Sequence, residues 1–183
     1  FKQKTAYEIK ECDWSSDVCS SDLVNTGTRV ITNLNKRFAA IDTGSGKVNT
    51  AYTAAFDNTV NGISVDGANV YVVGNFNTVS NSLNDVVNVF TRRKAAKLTS
   101  DTSVAAVTDS NWDPALGNNG LAVVSDGSGK VLIGGSFAYV KPVLRNRLAA
   151  VDAATGSILN WDPNANNNVY ALAYGTIDSS NVV

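Results

Sequence analysis

Arg147-Leu148-Ala149-Ala150-Val151-Asp152 repeats a stretch from earlier in the same chain, Arg37-Phe38-Ala39-Ala40-Ile41-Asp42. Between these two copies, Arg93-Lys94-Ala95-Ala96-Lys97-Leu98 is a degraded copy, and the three copies are spaced by 56 and 54 residues. Similarity of a chain to itself at a regular spacing is the mark of a repeat architecture. This stretch therefore decides the fold class.

Two further elements recur with the same rhythm. Val65–Phe76 matches Ser125–Phe137, and each has an Asp-Gly turn between apolar segments, followed by glycine and phenylalanine. Asn-Trp-Asp-Pro occurs at 111–114 and again at 160–163. The residues that can take its place in the first unit are Tyr52 and Phe56. The repeat units then cover about 24–79, 80–140 and 141–183, the last one truncated.

Each unit is predicted to consist of short strands. Apolar residues alternate with smaller or polar neighbours at Ile63, Val65, Val70 and Val72, which is the period of a half-buried strand. The Asp-Gly pairs between the runs are predicted hairpin turns, because glycine accepts the positive φ that such turns require. No window shows a long helical period with caps.

About four short strands per unit, at a period of about 55 residues, predict an all-β fold. We expect an incomplete β-propeller of about three blades of short antiparallel strands, occupying residues 24–183. Because a closed propeller takes roughly 4–8 blades, the remaining blades of a parent chain are expected partners. Stacked units depend on their neighbours for burial, so we expect the 24–183 portion alone to be marginally stable.

Residues 1–23 share no element with the repeat. Phe1–Ile9 and Asp13–Leu23 resemble a sequencing adapter translated in one frame. Segments of non-native origin are set aside before fold reasoning. We expect a non-native extension without a fold, in which neither Trp14 nor Cys19 packs against the units. Strand-like sequence begins near Arg29, and the lack of Met suggests an internal piece of a longer reading frame.

Charge and composition exclude several functional classes. The formal net charge is −1, and it becomes about +1 when residues 1–23 are left out, so neither nucleic acid nor a membrane surface is an expected partner. No apolar run approaches the ~20 residues of a membrane span. The chain has no His, and both cysteines, Cys12 and Cys19, lie in the excluded segment. Ser-His-Asp and Cys-His sites, disulfides and thiolate metal sites are therefore excluded from 24–183.

The repeated residues are predicted to hold the fold rather than a site. Asp42 and Asp152 are expected to accept hydrogen bonds in turns instead of acting as catalytic carboxylates. Trp112 and Trp161 are expected to be buried anchors between blades rather than platforms for sugars. No helix follows the glycines, so close strand packing is favoured over a phosphate cradle. The predicted structural repeat positions are Arg37, Asp42, Gly74, Phe76, Trp112, Gly134, Phe137, Arg147, Asp152, Gly156 and Trp161.

The remaining polar residues give no catalytic, cofactor or metal site. Arg92-Arg93-Lys94 is interpreted as a solvated basic cluster. The loop with Asp162, Asn164 and 166–168 has oxygen ligands for Ca²⁺ but too few carboxylates for a predicted site. A pair of carboxylates for glycoside hydrolysis is formally possible, but each candidate Asp has an explanation from the repeat.

The strongest copy of the repeat resembles the delta-60 repeat β-propeller family. Its elements are Phe137-Ala138-Tyr139-Val140, Arg147 to Gly156, Trp161-Asp162-Pro163 and Val169-Tyr170-Ala171-Leu172, and weaker copies extend back to about residue 29. The resemblance implies a secreted or cell-surface protein, and it implies no defined activity.

The same region is similar to the quinoprotein propeller repeat. The matching positions are Ala150, Asp152, Thr155, Gly156 and Trp161, although Trp161 lies one position later than in that motif. In that superfamily the repeat docks one blade on the next and does not itself bind the cofactor.

Together these features favour a non-catalytic repeat scaffold or binding module for a protein or glycan ligand. The loop residues Asn77, Lys141 and Arg145 are better placed for a ligand than the repeated core. The alternative is a fragment of a propeller enzyme, either a quinoprotein-like oxidoreductase or a carbohydrate-active enzyme.

Overall fold

The structure is a computed structural model, and it describes residues 37–83, 86–177 and 180–182. Within these ranges the chain is all-β and contains no helix, which confirms the all-β part of the prediction. None of the described residues thus forms a helix able to cross a membrane. The expectations for residues 1–23, including Trp14 and Cys19, and for a strand near Arg29 lie outside the described residues.

The described ranges hold thirteen short strands. They are β1 (Ala55–Phe56), β2 (Val60–Asp66), β3 (Asn69–Gly74), β4 (Thr78–Leu83), β5 (Val86–Thr91), β6 (Ala95–Thr99), β7 (Gly120–Ser125), β8 (Lys130–Gly135), β9 (Tyr139–Val140), β10 (Val143–Leu144), β11 (Leu148–Asp152), β12 (Gly175–Ile177) and β13 (Ser180–Val182). All pairings between them are antiparallel. The sheet orders are β2-β3-β6, β7-β8-β11, β1-β4-β5, β9-β10 and β12-β13.

Two of these sheets are the same structure built twice. We name each sheet after the unit that contains its last strand: β2-β3-β6 is the middle sheet and β7-β8-β11 is the third-unit sheet. Both have a bulge at the start of their first strand. Each is extended at its outer edge by one further bridge, Leu98 to Thr108 in the first case and Val151 to Ile158 in the second. Each sheet also crosses a predicted unit boundary, so the sequence repeat and the sheet are offset along the chain.

The degraded copy aligns one residue later than the sequence suggests. Lys94 donates its backbone N–H to the Phe76 carbonyl, as Arg147 donates to that of Phe137. Positive φ angles of 66°, 68° and 62° occur at Arg37, Lys94 and Arg147. The alignment of Arg93 with the two arginines was therefore wrong. Lys94 is their equivalent, and the two alanines of this copy align one position later than the sequence comparison placed them. Equivalent residues are Ile41, Leu98 and Val151, and also Asp42, Thr99 and Asp152.

The glycines of the repeat mark close backbone approaches. A Cβ atom on Gly74 would lie 2.0 Å from the Thr59 carbonyl oxygen, and one on Gly135 would lie 2.2 Å from that of Asn119. Gly135, rather than Gly134, is thus the equivalent of Gly74. Gly134 faces another neighbour, because its Cβ would lie 2.6 Å from Val169 Cγ1. No side chain larger than hydrogen fits at these positions without a shift of the backbone.

The central strand of the middle sheet, β3, is buried on both faces. Val70 and Val72 of β3 belong to a cluster that includes Phe56 and Phe76, with Phe38 packed against it. The alternate residues of β3 belong to a second cluster that joins the middle sheet to the third-unit sheet. Its members are Tyr71, Val73, Ala95, Trp112, Leu116, Val123, Val131, Ile133, Phe137, Val140, Ala149 and Val151. Alternation along a strand places successive side chains on opposite faces, so β3 contributes to both clusters.

An aromatic donor ties each of these clusters to the end of a strand. Trp112 Nε1 donates to the carbonyl of Asp152, the last residue of β11, at 3.0 Å. The Tyr52 hydroxyl donates to the carbonyl of Thr99, the equivalent last residue of β6. Tyr52, and not Phe56, therefore takes the place of tryptophan in the first unit. A Cβ on Gly156 would lie only 3.3 Å from Trp112 Cδ1, so glycine there lets the indole pack closely.

The two tryptophans of the repeat differ in burial. Trp112 is fully buried, whereas 37% of the Trp161 surface is exposed. The prediction of a buried anchor is therefore wrong for Trp161 within the described residues. Among the described residues the Trp161 indole makes no hydrogen bond like the one that Trp112 makes.

Trp112 and Trp161 provide a matched test of the hydrogen bond between the buried indole and the end of the strand. Trp112→Phe removes the indole donor and leaves the buried Asp152 carbonyl without its partner, so we expect a loss of about 2–4 kcal/mol in unfolding free energy. Trp161→Phe removes a donor that has no acceptor among the described residues, and its loss should stay below about 1 kcal/mol. Chemical denaturation of both variants measures the difference. Equal losses would contradict the assigned role of Trp112.

A second test uses the ionisation of Tyr52. Burial raises the pKa of Tyr52 to about 12. Because its protonated hydroxyl makes the contact to Thr99, this stabilisation is complete below about pH 10 and is lost as the pH rises through the folded pKa. Alkaline unfolding should therefore include a step near pH 12, followed by phenolate absorbance. Tyr52→Phe should lack this step, and an unchanged alkaline profile in that variant would refute the assignment.

Candidate functional site

The carboxylates of the repeat are used by their own turns. Asp42 accepts hydrogen bonds from the Ser45 hydroxyl and backbone N–H, both at 2.6 Å. Asp152 accepts from the Thr155 backbone N–H at 2.7 Å and from its hydroxyl at 2.9 Å. These bonds hold the pKa of each carboxyl below its usual value. A carboxylate stabilised in its charged form by a local turn is a poor proton donor near neutral pH.

Two arginines, by contrast, were assigned to the wrong environment. Arg92 was expected in a solvated cluster, but it is 7% exposed and donates from Nη2 to the Asp109 carbonyl at 2.8 Å. Arg145 was expected to be available to a ligand, but its Nη2 donates to the Leu159 carbonyl at 3.1 Å. These carbonyls are equivalent, and each arginine precedes its unit's positive-φ residue by two positions. This shared spacing of two residues is the sequence signal that would have identified Arg92 and Arg145 as equivalent.

The other residues predicted in loops also bind within the chain. Lys94 Nζ donates to the side-chain oxygens of Asn75 and Asn77, at 3.2 and 3.1 Å. Asn77 therefore serves as an acceptor for a neighbouring ammonium. Lys141 has a φ of 52° and donates its backbone N–H to Pro114 and Ala115.

The asparagine-rich loop is likewise occupied by internal contacts. The Asn164 side-chain oxygen accepts from Asn146 at 2.7 Å, and that of Asn167 accepts from the Asn168 backbone N–H at 2.8 Å. Asp162 pairs with Arg145 at 3.5 Å. No cluster of three or more metal-ligating His, Cys, Asp or Glu residues occurs in the part of the chain that the structure describes.

The remaining predicted positions support the strands. Phe76 and Phe137 are fully buried in the two clusters. Arg37 donates from Nη1 to the Phe56 carbonyl at 2.8 Å. Arg147 holds the positive φ at the start of β11.

A groove on the middle sheet is lined by residues of the repeat together with two charged residues that the repeat does not explain. It has a volume of about 340 Å³. Its lining residues are Asn69, Lys97, Leu98, Thr99, Val107, Thr108, Asp109 and Ser110. They come from the start of β3, from β6 and from the outer segment that follows it. We call this feature the Lys97 groove.

An ion pair crosses the Lys97 groove. Lys97 Nζ lies 3.0 Å from Asp109 Oδ2, and the two side chains are 13% and 28% exposed. The strands impose this pairing, because the Asp109 backbone N–H donates to the Lys97 carbonyl. Partial burial raises the pKa of Asp109, but hydrogen bonds from the Asn111 backbone N–H and Lys97, together with the Lys97 charge, outweigh it and keep that pKa low.

The ion pair stands where the other units have uncharged residues. Lys97 occupies the position of Ala150 in the third-unit sheet and of Ala40 in the first unit. Asp109 occupies that of Leu159 and Asn49, because all three backbone N–H groups donate to the equivalent carbonyl. In the sequence, the only signal of this site is the charged residue Lys97 within the degraded copy, and only the paired strands bring Asp109 beside it.

Comparison of the chain with protein-family models, with curated proteins and with solved structures gives no match.

The turn carboxylates predict a dependence of stability on acid pH. Because the folded pKa of Asp152 lies below its usual value of about 4, its contribution is present above about pH 4 and is lost as the pH falls through the folded pKa. Asp152→Asn keeps one acceptor oxygen but cannot ionise. Thermal unfolding midpoints measured from pH 6 to pH 2 should therefore fall less in the variant than in the unmodified protein. Parallel curves would show that the turn does not depend on this charge.

Proposed function

We propose that the chain is part of a β-propeller that acts as a non-catalytic binding module of a secreted or cell-surface protein of the delta-60 repeat type. Its ligand is a glycan or a protein. One observation carries the proposal: the Lys97 groove contains an ion pair at two positions, Lys97 and Asp109, at which the middle unit departs from its own repeat. Repeated residues are explained by the fold, so departures from the repeat are the positions at which function is expected.

The packing supports the propeller part of this proposal. The central strand β3 of the middle sheet is buried on both faces. The neighbouring third-unit sheet has the same bulge, outer bridge and aromatic contact as the middle sheet. Stacked units of this kind bury their apolar faces against one another. By its repeat, the sequence of residues 24–183 corresponds to about three such blades.

The side-chain contacts support a binding role rather than catalysis. The repeated aspartates are held in their charged form by turns. The groove pairs its only two charges with each other. This arrangement offers hydrogen bonds to a ligand without a poised acid, base or nucleophile.

The test is ligand capture on glycan and protein arrays with the full chain. The variant Lys97→Ala/Asp109→Asn removes the ion pair and substitutes residues that the other units carry at the same positions, so the fold should tolerate it. We expect at least tenfold weaker capture by this variant. Lys130→Ala removes an exposed ammonium that pairs with Asp126 outside the groove, and this variant should bind as the unmodified protein does. Equal capture by all three proteins, or no capture by any, would refute the proposed function.

A further inference from the structure

We propose that the Lys97 groove selects a neutral, hydroxyl-rich ligand, namely a short saccharide that lies across the Lys97–Asp109 ion pair. This inference rests on the proposed function and narrows it to one ligand class. It follows from the hydrogen-bonding capacity of the pair, from the charge around it, and from the size of the groove.

The ion pair has unused hydrogen-bonding capacity of both kinds. The Lys97 ammonium has three N–H donors, one of which is directed to Asp109 Oδ2. The Asp109 carboxylate accepts from Lys97 at Oδ2 and from the backbone N–H groups of Asn111 and Trp112, which leaves acceptor capacity for one further donor. Neighbouring hydroxyl groups on a sugar ring can donate to such a carboxylate and accept from such an ammonium together. A ligand with only donors or only acceptors would use half of the pair.

The surrounding charge disfavours an anionic ligand. Burial raises the pKa of the nearby Tyr71, and the negative charges of Asp66, Asp152 and Asp109 raise it further. These carboxylates thus share one region with the Lys97 ammonium, and Lys130 is paired opposite Asp152 in the sheet. An anion would have to compete with Asp109 for Lys97. It would also have to approach the other two carboxylates, and the repulsion between like charges costs free energy.

A cationic ligand is disfavoured as well. Asp66 accepts from the Ser125 hydroxyl at 2.6 Å, and Asp152 is used by its turn. Asp109 already has the Lys97 ammonium beside it, and a second cation would meet that charge. A neutral ligand avoids both penalties, because it adds hydrogen bonds without displacing either partner.

The size of the groove favours a saccharide over a protein. Its volume of about 340 Å³ lies at the lower end of the range for small-ligand pockets. A stable protein interface covers roughly 800 Å² and about 20–30 residues on each partner, whereas eight residues line this groove. Val107 is 43% exposed and lies two residues from Asp109, on the same side of the segment. It supplies apolar surface for the C–H groups of a sugar beside the ion pair.

The experiment is an amide NMR titration of the full chain with neutral and acidic disaccharides. The neutral probes are cellobiose, maltose and N,N′-diacetylchitobiose, and the acidic probe is digalacturonic acid. We expect a neutral probe to shift the amides of Asn69, Val107, Asp109 and Ser110 with a Kd of about 1 mM or tighter. Lys97→Ala should weaken this binding at least tenfold, whereas Lys130→Ala should leave it unchanged.

The outcomes separate this inference from the proposed function. If digalacturonic acid shifts the groove amides and no neutral probe does, the ligand class is wrong but the groove remains a binding site. The same holds if a protein from the array shifts them and no saccharide does. Shifts that persist in Lys97→Ala would overturn the site, and so would the absence of any response at the groove amides. Amide spectra and thermal unfolding of Lys97→Ala verify that the variant is folded.

Discussion

A hydrogen bond from a buried aromatic side chain to the last carbonyl of a strand is the contact on which the described structure depends. Trp112 makes it to Asp152, and Tyr52 makes the equivalent bond to Thr99. Each bond lies beside an apolar cluster that covers one face of the middle sheet. The apolar contact is not directional, whereas the hydrogen bond fixes how far one sheet extends past the next. Register and burial are therefore set together.

The same repeat that stabilises the chain also removes most polar residues from functional use. Turn aspartates hold backbone N–H groups, and the two equivalent arginines hold outer carbonyls. Such partners matter, because a buried polar group left unpaired costs about 1–3 kcal/mol. What remains for a ligand is the set of residues that differ between units. Lys97 and Asp109 belong to this set, and the sheet brings them to 3.0 Å from each other.

Several elements of the structure were predictable from the sequence, and others were not. Alternating apolar residues and Asp-Gly turns predicted the β2-β3 and β7-β8 hairpins, because period two and positive φ are local properties. The sequence alignment of the degraded copy was wrong by one residue. It relied on a pair of alanines, and alanine fits at many buried positions of a strand. Only the bonds between strands identify Lys94 as the equivalent of Arg147. The burial of Arg92 was missed for a similar reason, since its acceptor lies seventeen residues away.

The sequence by itself determined that the chain is an all-β repeat whose shared residues serve the fold. It did so because strand period, turn glycines and self-similarity are all written within short windows. The tertiary structure decided which of two identical motifs is buried, so that Trp112 packs and Trp161 does not. It also decided that the Lys97 groove exists, because an ion pair between residues 97 and 109 forms only when the two segments pair as neighbours. Contacts of this kind depend on strand register, which is set by pairing between distant segments and cannot be read from a short window of sequence.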